Sequence, residues 1–109
     1  MHRCLELGRI VDVPCFDTLS DGTAGGVEEG AITFDVCRSV VDRSLLVEEP
    51  AIARAVRQTL EEQRMLIEGA AGVAMAGFSQ VADEYAGKRV AIVLCGANIG
   101  LETLREVLT

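Results

Sequence analysis

The clearest pattern in the chain is helical. Ile52, Val56 and Leu60, with Ala55 and Thr59, fall on one side of a 3.6-residue period, while Arg54, Arg57, Glu61 and Glu62 fall on the other. Glu48-Glu49-Pro50 opens that segment, because proline suits the first helical position and acids suit the positive end of the helix dipole. The spacing predicts a helix from Pro50 to about Met65, broken by Leu66-Ile67-Glu68-Gly69. Ala31 to Val41 repeats the pattern with Phe34, Cys37 and Val41 on one face and Thr33 as a candidate N-cap. Met1 to Leu7 reads as a short helix closed by Gly8. It carries a stop signal without a start signal, and so few turns are marginal alone, so its beginning is expected upstream. Ala70 to Tyr85 is small and apolar, which suits a buried helix whose backbone lies against neighbours, and Gly87 ends it. Leu101 to Leu108 closes the chain as a further helix.

Between these helices the period drops to two. Arg9-Ile10-Val11-Asp12-Val13 alternates and stops at Pro14, as a strand at or near an edge does. Ser44 to Val47 is a second short strand, and Arg89 to Leu94 is apolar on both faces. That last pattern suits the middle of a parallel sheet covered by helices. The expected class is therefore α/β, a short, mostly parallel sheet with flanking helices. No repeat or low-complexity linker divides residues 1–109, so no internal domain boundary is drawn.

Composition narrows the function classes. Half the residues are apolar and a quarter charged, the signature of a globular chain. The net charge of −7 comes from scattered pairs such as Glu28-Glu29 and Glu61-Glu62, and the ten Lys and Arg form no stripe. Nucleic acid and anionic membrane are poor partners for such a surface. Cys4, Cys15, Cys37 and Cys95 contain no C-x-x-C, and the single histidine, His2, sits at the terminus, so no zinc set and no metal site is expected. The chain start lacks a secretory pattern, and no apolar run approaches the ~18 residues of a membrane span, so free thiols in a cytoplasmic protein are expected.

Three segments are candidates for chemistry. In open α/β sheets ligands bind outside the carboxyl ends of strands, the place that Cys95-Gly96-Ala97-Asn98 occupies. Cys95 offers a weak S–H donor and Asn98 a donor and an acceptor, although an ordinary turn with a buried cysteine fits the same residues. A Cys–His enzyme is disfavoured because His2 is the only available base. Ser20-Asp21-Gly22-Thr23-Ala24-Gly25-Gly26 offers backbone N–H groups to an anion, yet lacks the Gly-Lys-Ser/Thr ending of a P-loop. Glu68, between two apolar segments, is either a helix-start anion or a site carboxylate.

Taken in order, Asp17-Thr18-Leu19-Ser20-Asp21-Gly22, Leu66-Ile67-Glu68-Gly69-Ala70-Ala71-Gly72 and Ile92-Val93-Leu94-Cys95-Gly96-Ala97-Asn98 resemble the C-terminal third of threonine/serine dehydratases, with serine racemase a close relative. The resemblance covers essentially the whole chain. It implies part of the large domain of a fold-type II pyridoxal-phosphate enzyme, the tryptophan-synthase-β type. The implied activity is that of an ammonia-lyase, which eliminates water from a β-hydroxy amino acid to give a 2-oxo acid and ammonia. It places Cys95 at the cofactor's pyridine nitrogen, with Asn98 a further cofactor-binding residue and Gly22 and Glu68 around the ring and substrate side. A neutral thiol would not force a proton onto the ring as a buried carboxylate might. The family commonly has a second glycine where this chain has Ala97, and the added methyl is expected to tighten the turn or displace Asn98.

The resemblance also implies what lies elsewhere. The family's Schiff-base lysine and phosphate-gripping glycine loop precede this region, and the only lysine here, Lys88, sits at the far end of the Arg89–Leu94 segment. The implied partners are the missing N-terminal part of the same enzyme, an amino-acid substrate and further copies in a homo-oligomer. The chain alone is expected to be inactive, with no catalytic residue of its own. The reading from another class is a stand-alone small α/β ligand-binding or regulatory module.

Overall fold

The computed structural model describes residues 1–109. The backbone forms five α-helices: α1 (His2–Leu7), α2 (Ile32–Val40), α3 (Glu49–Gln63), α4 (Gly69–Val81) and α5 (Leu101–Leu108). Single 3₁₀ turns lie at Asp21–Thr23 and Ala82–Tyr85. Packing divides the chain into two compact units, one of Met1–Phe16 with Ala24–Leu46 and one of Asp17–Thr23 with Val47–Thr109.

In the first unit α1 packs against α2. Gly8 ends α1 in the left-handed conformation, φ 66°, with its N–H near the Leu5 carbonyl. Cys4 is 1% exposed, and its sulfur exchanges weak hydrogen bonds with the backbone of Val11 at 3.5 and 3.6 Å, tying residues 9–11 to α1. Phe34 is the buried residue of α2, and Cys37 is half-buried beside it. The N-cap is Ala31, not Thr33, which lies one residue inside the helix where its hydroxyl cannot cap.

The second unit carries the core. Helix α3 buries Ile52, Ala55, Val56 and Thr59, the face its period predicts, and Thr59 returns its hydroxyl to the Ala55 carbonyl at 2.8 Å. Arg64 ends it in a left-handed cap. Its buried side packs on α4, where the small residues have a physical cause. A Cβ on Gly72 would stand 2.7 Å from Val56 Cγ2 and 3.3 Å from Ile52 Cγ2, so glycine lets the two helices approach. Val56, Ile67, Ala71 and Val107 form the centre, with Leu19, Met75, Leu94 and Ile99 packed around them. Fully burying a valine or isoleucine such as Val56 or Ile67 stabilises by about 1.5–3 kcal/mol.

The expected strands are not formed. Arg9–Val13, Ser44–Val47 and Arg89–Leu94 are irregular backbone, and no sheet occurs in the chain. Strand pattern specifies which faces need cover, but a strand exists only when a neighbouring strand completes its hydrogen-bond ladder. These segments lie apart in sequence and none pairs with another. The last of them shows the consequence. Leu94 and Ile92 are half-buried, with Leu94 against the helical core, while Val93 between them is 75% exposed. One apolar face is packed and the other is open.

Candidate functional site

Three segments of the second unit meet around the Glu68 carboxylate. Glu68 is the N-cap of α4 with extended backbone, φ −84° and ψ 171°. Its carbonyl accepts the Gly72 N–H at 2.9 Å and begins the helix, but its side chain makes no cap bond. The carboxylate turns instead to the turn after residue 94, where Oε2 accepts the backbone N–H of Asn98 at 2.7 Å. The Glu68 N–H donates to the Gly96 carbonyl at 3.1 Å. Backbone and side chain together therefore latch Glu68 to Gly96-Ala97-Asn98. A negative charge here also lies at the positive end of the α4 dipole.

Gly96 is required by this latch. A Cβ there would fall 2.5 Å from Glu68 Cδ and run into both carboxylate oxygens. The third segment brings Gly22, on which a Cβ would stand 3.6 Å from Glu68 Oε1 and 3.4 Å from Ala70 Cβ. Gly69 presses so closely on residues 19–20 that a Cβ would overlap the Leu19 carbonyl. Gly22, Glu68 and Asn98, of the four candidates, are thus brought together, with Gly96 between them.

Cys95 directly precedes the latched Gly96, and it is an exposed free thiol rather than a buried apolar filler. Asn98 contributes its backbone N–H, and its side chain lies at the surface. Ala97 is exposed, and its carbonyl accepts the Ile99 N–H at 3.0 Å. Lys88 is engaged elsewhere, with Nζ 5.3 Å from the centre of the Tyr85 ring. Pattern reading missed Glu49, whose carboxylate holds the segment that carries Gly22. No local signal marks it, because its partners are about 30 residues away.

No group of three or more His, Cys, Asp or Glu side chains is arranged to hold a metal ion. No helix is long and apolar enough to cross a membrane. A hollow of about 720 Å³ in the first unit, floored by Ile10, Val11, Val27 and Phe34, contains none of the candidate residues.

Comparison with known proteins gives this arrangement a class. The family model for "Pyridoxal-phosphate dependent enzyme" matches residues 1–96. The chain belongs to that family. Among curated relatives it is 40% identical over 107 residues to the L-threonine ammonia-lyase of Geobacter sulfurreducens, covering 97% of this chain and 26% of that protein. It is 35% identical over 108 residues to the L-threonine ammonia-lyase of Thermotoga maritima, covering 99% and 26%. Among solved structures, the serine racemase of Dictyostelium discoideum superposes with a TM-score of 0.79 at 27% identity, over 92% of this chain and 32% of that one. The chain spans between 21% and 33% of the length of the first curated relatives. Its fold is that of a segment of the α/β large domain of fold-type II pyridoxal-phosphate enzymes, whose intact members carry pyridoxal phosphate.

Proposed function

We propose that this chain forms the C-terminal part of the catalytic domain of a pyridoxal-phosphate-dependent threonine/serine dehydratase. The intact enzyme would eliminate water from a β-hydroxy amino acid and release a 2-oxo acid and ammonia. The observation that carries the reading is the meeting of Gly22, Glu68 and the Cys95–Asn98 turn, three segments far apart in sequence, around one carboxylate. Their order and residue types resemble the dehydratase pattern, and the relatives named above are threonine ammonia-lyases.

The residues fit one edge of the cofactor. Cys95 is an exposed neutral thiol that a flat ring can reach, while the side-chain side of Gly96 is taken by the Glu68 carboxylate. Bound there, pyridoxal phosphate would supply the electron sink for losing the α-proton and the β-hydroxyl. Cys95 would hold the ring nitrogen by a hydrogen bond without forcing a proton onto it. Glu68, held rigidly by Asn98 and Gly96, would place a fixed negative charge on the ring and substrate side. The aldehyde and phosphate ends need groups from outside this chain, since Lys88 lies over Tyr85. In the intact enzyme neighbouring parallel strands would bond the two edges of residues 90–94 and further helices would cover the open face, because a segment apolar on both faces needs cover on both. The chain alone would then be inactive.

A chimera tests this reading. This chain would replace the aligned 107 residues of the Geobacter L-threonine ammonia-lyase. The expected result is a chimera that retains pyridoxal phosphate and releases ammonia from threonine or serine, with cofactor content unchanged by Lys88→Met. A folded chimera with bound cofactor and no elimination activity would contradict the assignment. The same holds for a borohydride-reducible bond between the cofactor and Lys88. Tight amino-acid binding by the isolated chain as a well-behaved monomer would favour the stand-alone module instead.

A further inference from the structure

We infer that Glu49 is a positioning residue for the site, its carboxylate clamping the Thr18–Gly22 segment and so setting Gly22 against Glu68. The inference deepens the reading above and rests on it. Glu49 is the first residue of α3, where an acid would ordinarily serve the helix dipole, yet that terminus carries no side-chain cap bond. The carboxylate forks onto two consecutive residues instead. Oε1 accepts the Thr18 hydroxyl, and Oε2 accepts the Leu19 N–H at 2.8 Å.

The restraint passes along the segment. Thr18 Oγ1, having donated to Glu49, accepts the Ser20 N–H at 3.0 Å. Ser20 is 2% exposed and pairs its hydroxyl with that of Thr23, whose N–H returns to the Ser20 carbonyl at 2.9 Å. Asp21 Oδ1 accepts the Gly22 N–H at 2.7 Å. From the other side the Leu19 carbonyl rests on Gly69, the neighbour of Glu68. The segment is therefore gripped between the first residue of α3 and the first residue of α4, and Gly22 has little freedom to leave Glu68. A carboxylate suits the grip because it accepts from both groups with its full charge, whereas a glutamine would have to reverse the Thr18 bond to keep the Leu19 one.

The test uses hydrogen exchange on the full chain and kinetics on the chimera. In Glu49→Gln the Leu19 amide is expected to exchange at least about fivefold faster, while the Val56 and Ala71 amides are unchanged, as for loss of one partly exposed charge-assisted bond. Thr18→Val should accelerate Ser20 without adding to the Leu19 effect in the double variant, and Thr18→Ser should restore the wild-type rates. In the chimera, Glu49→Gln should raise the substrate KM severalfold with kcat within about twofold, because positioning rather than reacting is lost. Unchanged Leu19 exchange would overturn the clamp, as would equal acceleration at Val56 and Ala71. An active chimera with an unaltered KM would overturn the positioning role. A wild-type chimera without activity would sink the functional reading instead, leaving the exchange result to decide the clamp.

Discussion

Gly69→Ala is expected to lower the thermal midpoint of the chain by about 10 °C, the consequence of roughly 2 kcal/mol lost in a domain of this size. The new Cβ would overlap the Leu19 carbonyl and approach the Ser20 nitrogen to 2.9 Å. These are backbone atoms and cannot swing aside as a side-chain tip can. Alanine also gains up to about 1 kcal/mol over glycine within a helix, but Gly69 is the first residue of α4, where that gain is smallest. Steric overlap wins. The control is Gly22→Ala, whose Cβ would make only ordinary contact at 3.4 Å with Ala70 Cβ. Gly22→Ala should leave the midpoint within about 2 °C, as surface changes away from such features do. Equal midpoints for Gly69→Ala and wild type, measured by circular dichroism, would show that residues 19–20 do not rest on α4.

The helices were legible because their signals are local. Gly8 stops α1, Pro50 starts α3, and the Ile52–Val56 stripe faces the core as its period requires. The Thr33 cap failed because a hydroxyl in the right composition sits one residue inside the helix that actually begins at Ile32. The strands failed for a different reason. Alternation in Arg9–Val13 and double-sided apolarity in Arg89–Leu94 describe a demand for cover, and a ladder partner is not a local property.

The site divides in the same way. Gly22, Glu68 and Cys95–Asn98 were legible as an ordered set of motifs, although no spacing rule brings them together. What remained hidden were the long-range bonds. The Asn98 backbone N–H rather than its side-chain amide meets Glu68, and Glu49 serves the Thr18 hydroxyl and the Leu19 N–H rather than its own helix.

Cys95→Ala in the chimera is expected to lower kcat for threonine by roughly tenfold or more, the loss of about 1.4 kcal/mol or more from the barrier. The residue is exposed, so its removal leaves no cavity in this chain's core, and the thermal midpoint should hold. Cys95→Ser keeps a neutral donor at the same place and should retain activity within about threefold. Equal losses in both variants would point to shape rather than to the hydrogen bond.

Cys95→Asp reaches the central claim most directly, because it exchanges a neutral partner for a charged one at the proposed ring nitrogen. The decisive measurement is the ¹⁵N chemical shift of the cofactor's labelled pyridine nitrogen in the chimera. The expected result is an unprotonated, hydrogen-bonded nitrogen with Cys95 or Ser at this position, and a shift to the protonated range in Cys95→Asp. The same ¹⁵N shift in all three proteins, with cofactor bound in each, would contradict it.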